Sequence, residues 1–262
     1  MQTHPQNPVI GASFLELQSI ESTNNYALQR IHAGLAYHGD CFFAHEQTRG
    51  KGQRGKDWKS EKSSNIILSI VLKPDFLNTY QQFHLSACLA VATERFFYDQ
   101  AGEPTRIKWP NDIYWKDRKA GGILIENIIG SGQPEPGDQG AKWQWAVAGI
   151  GLNINQEIFN AEIPNPISLT QITGKKYDVL ELAKKLCSYV DEYYKRLEKN
   201  QFDELLQVYN DRLYKKNQTV KLKSDNKVFH AEIKGVDSSG ELITVHGVEE
   251  RFKFGEIDWL KN

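Results

Sequence analysis

The chain has 262 residues, a formal net charge of -1 and 40% hydrophobic residues, the balance of a globular protein with a sizeable core rather than of a general nucleic-acid binder. No apolar run is long enough to span a bilayer, and the N-terminus lacks the charged, apolar and small-residue order of a signal peptide. Cys41, Cys88 and Cys187 are odd in number, far apart and without metal-ligand spacing, so reduced thiols and a cytoplasmic location are expected.

In chain order, DCFFAHEQT (residues 40–48) predicts a strand. TRGKGQRGKDW (48–58) follows, with three glycines and four basic side chains. SNIILSIVL (64–72), a nearly unbroken branched apolar run stopped by Pro74, predicts a strand covered on both faces. Leu85, Leu89, Ala92 and Phe96 recur at helical spacing and predict a helix over residues 84–100. IKWPNDIYW and DRKAGGILIE read as two strands joined at the charged tip WKDRK. GSGQPEPGDQG (130–140) reads as a longer surface turn, and WQWAVAGIGLNIN as another strand.

Beyond Thr170 the pattern is helical: Asp178 with Glu181 resembles a capping box, ahead of a stripe through Leu182, Leu186, Val190, Tyr193 and Leu197. From Gln218, short alternating segments punctuated by SDN and DSSG predict a small β-barrel. The expected class is α+β, a mixed sheet with packed helices over residues 1–216 and a second domain over 217–262.

Glycines let backbone N–H groups turn around an anion that nearby cations neutralise. The loop at Gly50 offers both, but it has neither the order of a P-loop nor that of a dinucleotide fingerprint. On its own it is equally well read as a solvated basic turn.

ESTNNYAL (21–28), EQTRGKGQRGKDW (46–58), IKWPNDIYWKDRKAGGILIE (107–126) and GIGLNIN (149–155) occur in the order and approximate spacing of biotin protein ligases, which this chain resembles. The resemblance implies a class II synthetase-like biotin/lipoate ligase catalytic domain followed by an SH3-like β-barrel. It also implies two half-reactions. Biotin and ATP, with Mg²⁺ bound to the ATP, would give biotinyl-5′-adenylate and pyrophosphate; a lysine of a biotin carboxyl carrier protein would then take the biotinyl group. Some members carry an N-terminal helix-turn-helix and bind DNA; with so little chain before the first motif, that domain and DNA binding are not expected here. A monomer and a homodimer are both compatible with the resemblance.

Residue by residue, the resemblance makes Lys119 the lysine that contacts the biotin carboxylate and the α-phosphate. Asp112 would lie near the reacting centre and orient or deprotonate the acceptor amine, or serve as a structural turn. Lys51 and Arg54 join the catalytic set. Ser22, Thr23, Asn24, Gln47, Gly50, Lys51, Gly52, Gln53, Lys119 and Gly122 match the biotin side. Arg54, Trp58, Lys108, Asn111 and Asn153 match the ATP and adenylate side. No metal ligand is assigned. Without the resemblance, Ser-Thr-Asn is a helix N-cap, Trp58 is core, Lys119 is a solvated hairpin lysine and Asn153 is a turn former.

The family loop commonly runs Gly-Arg-Gly-Arg, whereas this chain has Gly50-Lys51-Gly52-Gln53 followed by Arg54. Lys51 keeps charge without the planar fork of Arg, and Gln53 keeps only hydrogen bonding, which bears on retention of the adenylate. The rival readings are a lipoate or octanoate ligase or transferase of the same fold, a catalytically silent adenylate binder, and a nucleic-acid-binding module.

Overall fold

A computed structural model describes residues 8–130, 143–160, 164–225 and 227–260. Strand β1 (Phe14–Leu17) runs parallel to β2 (Cys41–Ala44), with α1 (Thr23–His32) between them in sequence. β3 (Asn65–Leu72) is buried along its whole length, as its unbroken apolar run requires. Then come α2 (Gln82–Ala101), β4 (Thr105–Lys108), β5 (Asp112–Trp115), β6 (Arg118–Ile129) and β7 (Trp143–Asn153). Of the turn expected at residues 130–140, all but Gly130 lies outside the described residues.

These strands form one sheet in the order β1-β2-β3-β7-β6-β5-β4, antiparallel except for β1 and β2. The helical region supplies α3 (Leu169–Thr173), α4 (Val179–Glu198) and α5 (Phe202–Asp211). Asp178 caps α4 by accepting the Glu181 N–H, and the expected stripe is buried against α2 and β3. α1 closes the other face through a small cluster of Ala27, Phe42, Val71 and Val147.

A second sheet holds β8 (Thr219–Ser224), β9 (Lys227–Val236), β10 (Leu242–His246), β11 (Val248–Phe252) and β12 (Asp258–Trp259). Its order is β11-β10-β9-β8-β12, antiparallel throughout. The position and strand spacing match the expected SH3-like unit, and among the described residues no hydrogen-bonded pairing between β11 and β12 closes it into a ring.

Two contacts seat this sheet beside the first. The Trp109 indole N–H donates to the Gly240 carbonyl at 3.0 Å. Asn210, at the end of α5, donates to the Val236 carbonyl and accepts the Val236 N–H. Behind them Glu94, fully buried on α2, accepts from Thr105 Oγ1 and from Arg212 at 2.8 Å, and the Arg212 carbonyl accepts the Ile107 N–H. The ion pair thus ties α2 and β4 to the segment that follows α5. Burial raises the Glu94 carboxyl above its ordinary range, and Thr105 and Arg212 oppose that shift.

Candidate active site

The amino-terminal turn of α1, the glycine-rich loop, the β5–β6 hairpin and β12 converge on one cavity of about 1020 Å³. Ser22 is the N-cap of α1, its Oγ accepting the Asn25 N–H. This places Thr23 and Asn24 on the first turn, both buried. The Thr23 N–H and hydroxyl both donate to Gln47 Oε1, at 2.7 and 3.0 Å. Because a backbone N–H can only donate, the oxygen of Gln47 faces α1, and its Nε2 keeps two protons for another partner.

The loop is a small hairpin. Trp58 N–H bonds Gly50 O at 2.9 Å, Lys51 pairs with Asp57, and residues 53–55 form a single tight turn at the tip. Arg54 sits there at φ 56°, a left-handed conformation that a side chain adopts only at a cost. Its guanidinium lies 3.6 Å from Asp258 on β12, an exposed pair worth little by itself. Lys51 reaches Glu126 at 3.5 Å. The Trp58 ring lies on the backbone of Gly151, whose absent side chain leaves room for it: a Cβ there would come within 2.6 Å.

On the opposite wall the β5–β6 pairing is irregular. Ile113 pairs with Gly121 but Tyr114 with Lys119, leaving Ala120 as an extra residue, a bulge that re-aims Lys119. The Lys119 backbone is clamped by Asn165 O and the Ile167 N–H, both at 2.9 Å. Asn153 Nδ2 donates to the carbonyls of Lys119 and Ile167. Lys119 Nζ meets Asp112 Oδ1 at 2.6 Å beside Gly122. Asn111 donates to the Ile123 carbonyl, and the Trp109–Pro110 peptide between it and Lys108 is cis.

Lys108 Nζ donates to the Tyr114 hydroxyl at 3.3 Å and lies over the rings of Tyr114 and Trp259, 5.0 and 5.3 Å from their centroids. Burial, helped by Lys119 and Lys56, holds its ammonium below the usual lysine range; Asp112 partly opposes this. Burial and the Asp112 charge push the Tyr114 phenol up.

The structure therefore brings together Ser22, Thr23, Asn24, Gln47, Lys51, Gly52, Gln53, Arg54, Trp58, Lys108, Asn111, Asp112, Lys119, Gly122 and Asn153 on the cavity wall. Gly50 lies just behind it, against the Trp58 carbonyl and the Gln47 amide. Asn111 and Asn153 spend their amide N–H groups on backbone carbonyls and so hold the strands that carry Asp112 and Lys119. Reading the sequence missed Ser69, Glu126, Asp117, Tyr214 and Trp259. Ser69 alone left a signal, a hydroxyl inside an apolar strand.

Three of the carboxylates on the wall are already paired: Asp112 with Lys119, Asp117 with Lys215, and Asp258 with Arg54. Among the described residues no three His, Cys, Asp or Glu side chains gather into a metal cluster. This donor set does not fit a metal held by the protein alone.

Residues 16–135 match the model of the Biotin/lipoate A/B protein ligase family. The chain is 28% identical over 249 residues to the bifunctional ligase/repressor BirA of Escherichia coli (strain K12), covering 94% of this chain and 74% of that protein. It is 29% identical over 235 residues to the biotin--[acetyl-CoA-carboxylase] ligase of Paracoccus denitrificans, covering 87% and 92%. Its fold is that of a biotin protein ligase from Aquifex aeolicus solved in complex with biotin and ATP, with a TM-score of 0.78, 22% identity and coverage of 96% and 100%. The segment similar to the biotin/lipoate A/B protein ligase family is thus the one whose motifs, over residues 21–126, gather on one cavity.

Proposed function

We propose that the protein is an ATP-dependent biotin protein ligase, forming biotinyl-5′-adenylate with release of pyrophosphate and then passing the biotinyl group to a lysine of a biotin carboxyl carrier domain. The observation that carries this reading is a single cavity with an amide- and hydroxyl-lined floor at Thr23, Asn24 and Gln47, and lysines 108 and 119 on its far wall. A neutral cyclic urea suits the floor; a carboxylate and a phosphate suit the lysines. The name of the Paracoccus denitrificans relative supports biotin and an acetyl-CoA carboxylase acceptor.

In the first half-reaction a biotin carboxylate oxygen bonds to the α-phosphorus of ATP and the bond to pyrophosphate breaks. Two anions must approach, so their mutual repulsion is the obstacle. Lys119 lies between them and Lys108 faces the phosphates. A fixed cation of this kind, in a site that excludes water, is worth about 10²–10³ in rate. Mg²⁺ bound to the triphosphate would screen its charge, with no protein ligand assigned to it. Lys51 and Arg54 close the loop over the product, and Trp58 packs near the adenine.

In the second half-reaction the acceptor amine, as a free base, attacks the biotinyl carbonyl and AMP leaves. Asp112 orients that amine through its second oxygen, a role supported by the first oxygen's being held by Lys119. Residues 217–262 form a separate domain whose β12 completes the nucleotide side of the cavity. A cytoplasmic location fits the three free, buried cysteines.

The test is exchange of labelled pyrophosphate into ATP by the wild type and by Lys119→Ala, with biotin, lipoate or octanoate supplied separately. Exchange that needs biotin and collapses in the variant supports the reading. Exchange with lipoate or octanoate and none with biotin overturns it in favour of the lipoate branch of the family.

A further inference from the structure

Glu126 does not line the cavity, yet each of its carboxylate oxygens holds a residue that does. Oε2 accepts from Asn24 Nδ2 at 2.8 Å, and Oε1 lies 3.5 Å from Lys51 Nζ. The register of β6 explains the position. Side chains alternate along a strand, so Gly122, Leu124 and Glu126 share a face, paired across to Gly151, Gly149 and Val147 on β7. The first two pairs belong to the cavity floor; Val147 already belongs to the apolar cluster beneath α1. Glu126 therefore stands where the cavity ends and α1 begins.

Asn24 lies across this row. Its Oδ1 is 2.6 Å from Ser69 Oγ on β3, and a Cβ at Gly149 would come within 2.4 Å of it. Rotating the carboxamide by half a turn would set Oδ1 against the Glu126 carboxylate, an oxygen facing an oxygen with no proton between them. Only the observed orientation satisfies both Ser69 and the Glu126 carboxylate. It leaves one Nδ2–H free for an acceptor oxygen in the cavity. The same carboxylate is the ion-pair partner of Lys51, which sits at the neck of the glycine-rich loop where the family's Arg has been replaced.

We infer that Glu126 is a positioning residue for the biotin end of the site, setting the Asn24 amide as a donor toward the ligand and tethering the loop through Lys51. The inference rests on the cavity's being a biotin site. It divides into two separable effects, because Gln at this position keeps an oxygen for Asn24 but offers no charge to Lys51.

The experiment is calorimetric measurement of the biotin dissociation constant, with the rate of biotinyl-adenylate release from preloaded enzyme, for the wild type, Glu126→Ala and Glu126→Gln. Losing a charge-assisted hydrogen bond that orients a ligand donor should weaken biotin binding about tenfold in Glu126→Ala. Glu126→Gln should stay within about threefold of the wild type, and both variants should release the adenylate faster. Wild-type biotin affinity in Glu126→Ala overturns the inference even if its Tm falls, since that is a structural role only. Equal loss of affinity in the Gln and Ala variants overturns it as well. If Glu126→Ala does not fold, Glu126→Asp carries the same test, its carboxylate being withdrawn from both partners by one methylene. A wild type that binds no biotin would refute the functional reading itself. Binding that is unaltered in the variants would refute only the role of Glu126.

Discussion

Lys119 Nζ lies 2.6 Å from Asp112 Oδ1, two side chains on neighbouring strands that meet beside Gly122. The carboxylate holds the ammonium at the cavity wall before any ligand arrives, so the two residues should act as a unit with unequal shares. Lys119→Ala should lower biotin-dependent pyrophosphate exchange by about 10²–10³. Asp112→Asn, which keeps shape and loses charge, should cost the first half-reaction less than Lys119→Ala does. It should cost transfer from preformed adenylate to the carrier lysine more. Transfer at the full wild-type rate would remove Asp112 from the second step.

Lys108 supplies a pH dependence with a definite sign. Its ammonium is held below the ordinary lysine range by burial, so it loses its proton at a lower pH than a solvated lysine does. Adenylate formation, which uses the cation, should therefore decline as pH rises through that depressed value. Lys108→Arg stays charged at every accessible pH. Its rate at neutral pH should be lower, because the guanidinium does not reproduce the fit between Tyr114 and Trp259, but the alkaline limb should move to higher pH. A limb unmoved in the Arg variant would assign it to another group.

Trp58 depends on the bare backbone at Gly151. A Cβ there would meet the indole within 2.6 Å and push the ring out of its seat. Gly151→Ala should raise the KM for ATP about tenfold or more while leaving the biotin dissociation constant nearly unchanged. Equal losses for both ligands would mean that the variant disturbs β7 as a whole.

The buried pair of Glu94 and Arg212 should dominate the stability of the β4 edge. Removing one partner of such a pair leaves the other uncompensated, at a cost of about 3–5 kcal/mol. Arg212 is partly solvated, so Glu94→Gln should fall at or below the lower end of that range. Urea denaturation at neutral pH measures this, and a loss under about 1 kcal/mol would show that Thr105 and solvent can replace the carboxylate.

Much of this site was legible in the chain before folding because each motif is local. Ser22 to Asn24 is a helix cap, residues 48–58 a glycine hairpin and residues 107–126 a strand pair, and each carries its chemistry within a few residues of its turn. The long strands and the two long helices were legible for the same reason, since an apolar run or a helical stripe records its burial directly. What stayed hidden were partners distant in sequence. Glu126 read as the end of a strand, and nothing local tells that it would meet Asn24 and Lys51. Trp259 and Asp258 carry no local signal of the cavity they line. The second domain was expected as a small β-barrel, and alternation reveals its strands but not whether the first and last of them meet.

The sequence by itself determined which residue types were available and which backbone each motif would adopt, because caps, turns and periodicity depend on interactions over a few residues. Only the tertiary structure decided that α1, the loop, the bulged hairpin and β12 share one cavity, that Lys119 is held by Asp112, and that Lys108 lies buried between two rings. Those relations depend on sheet register and on packing between residues as far apart as 108 and 259. A single residue of register shift would reverse which of them face the ligand.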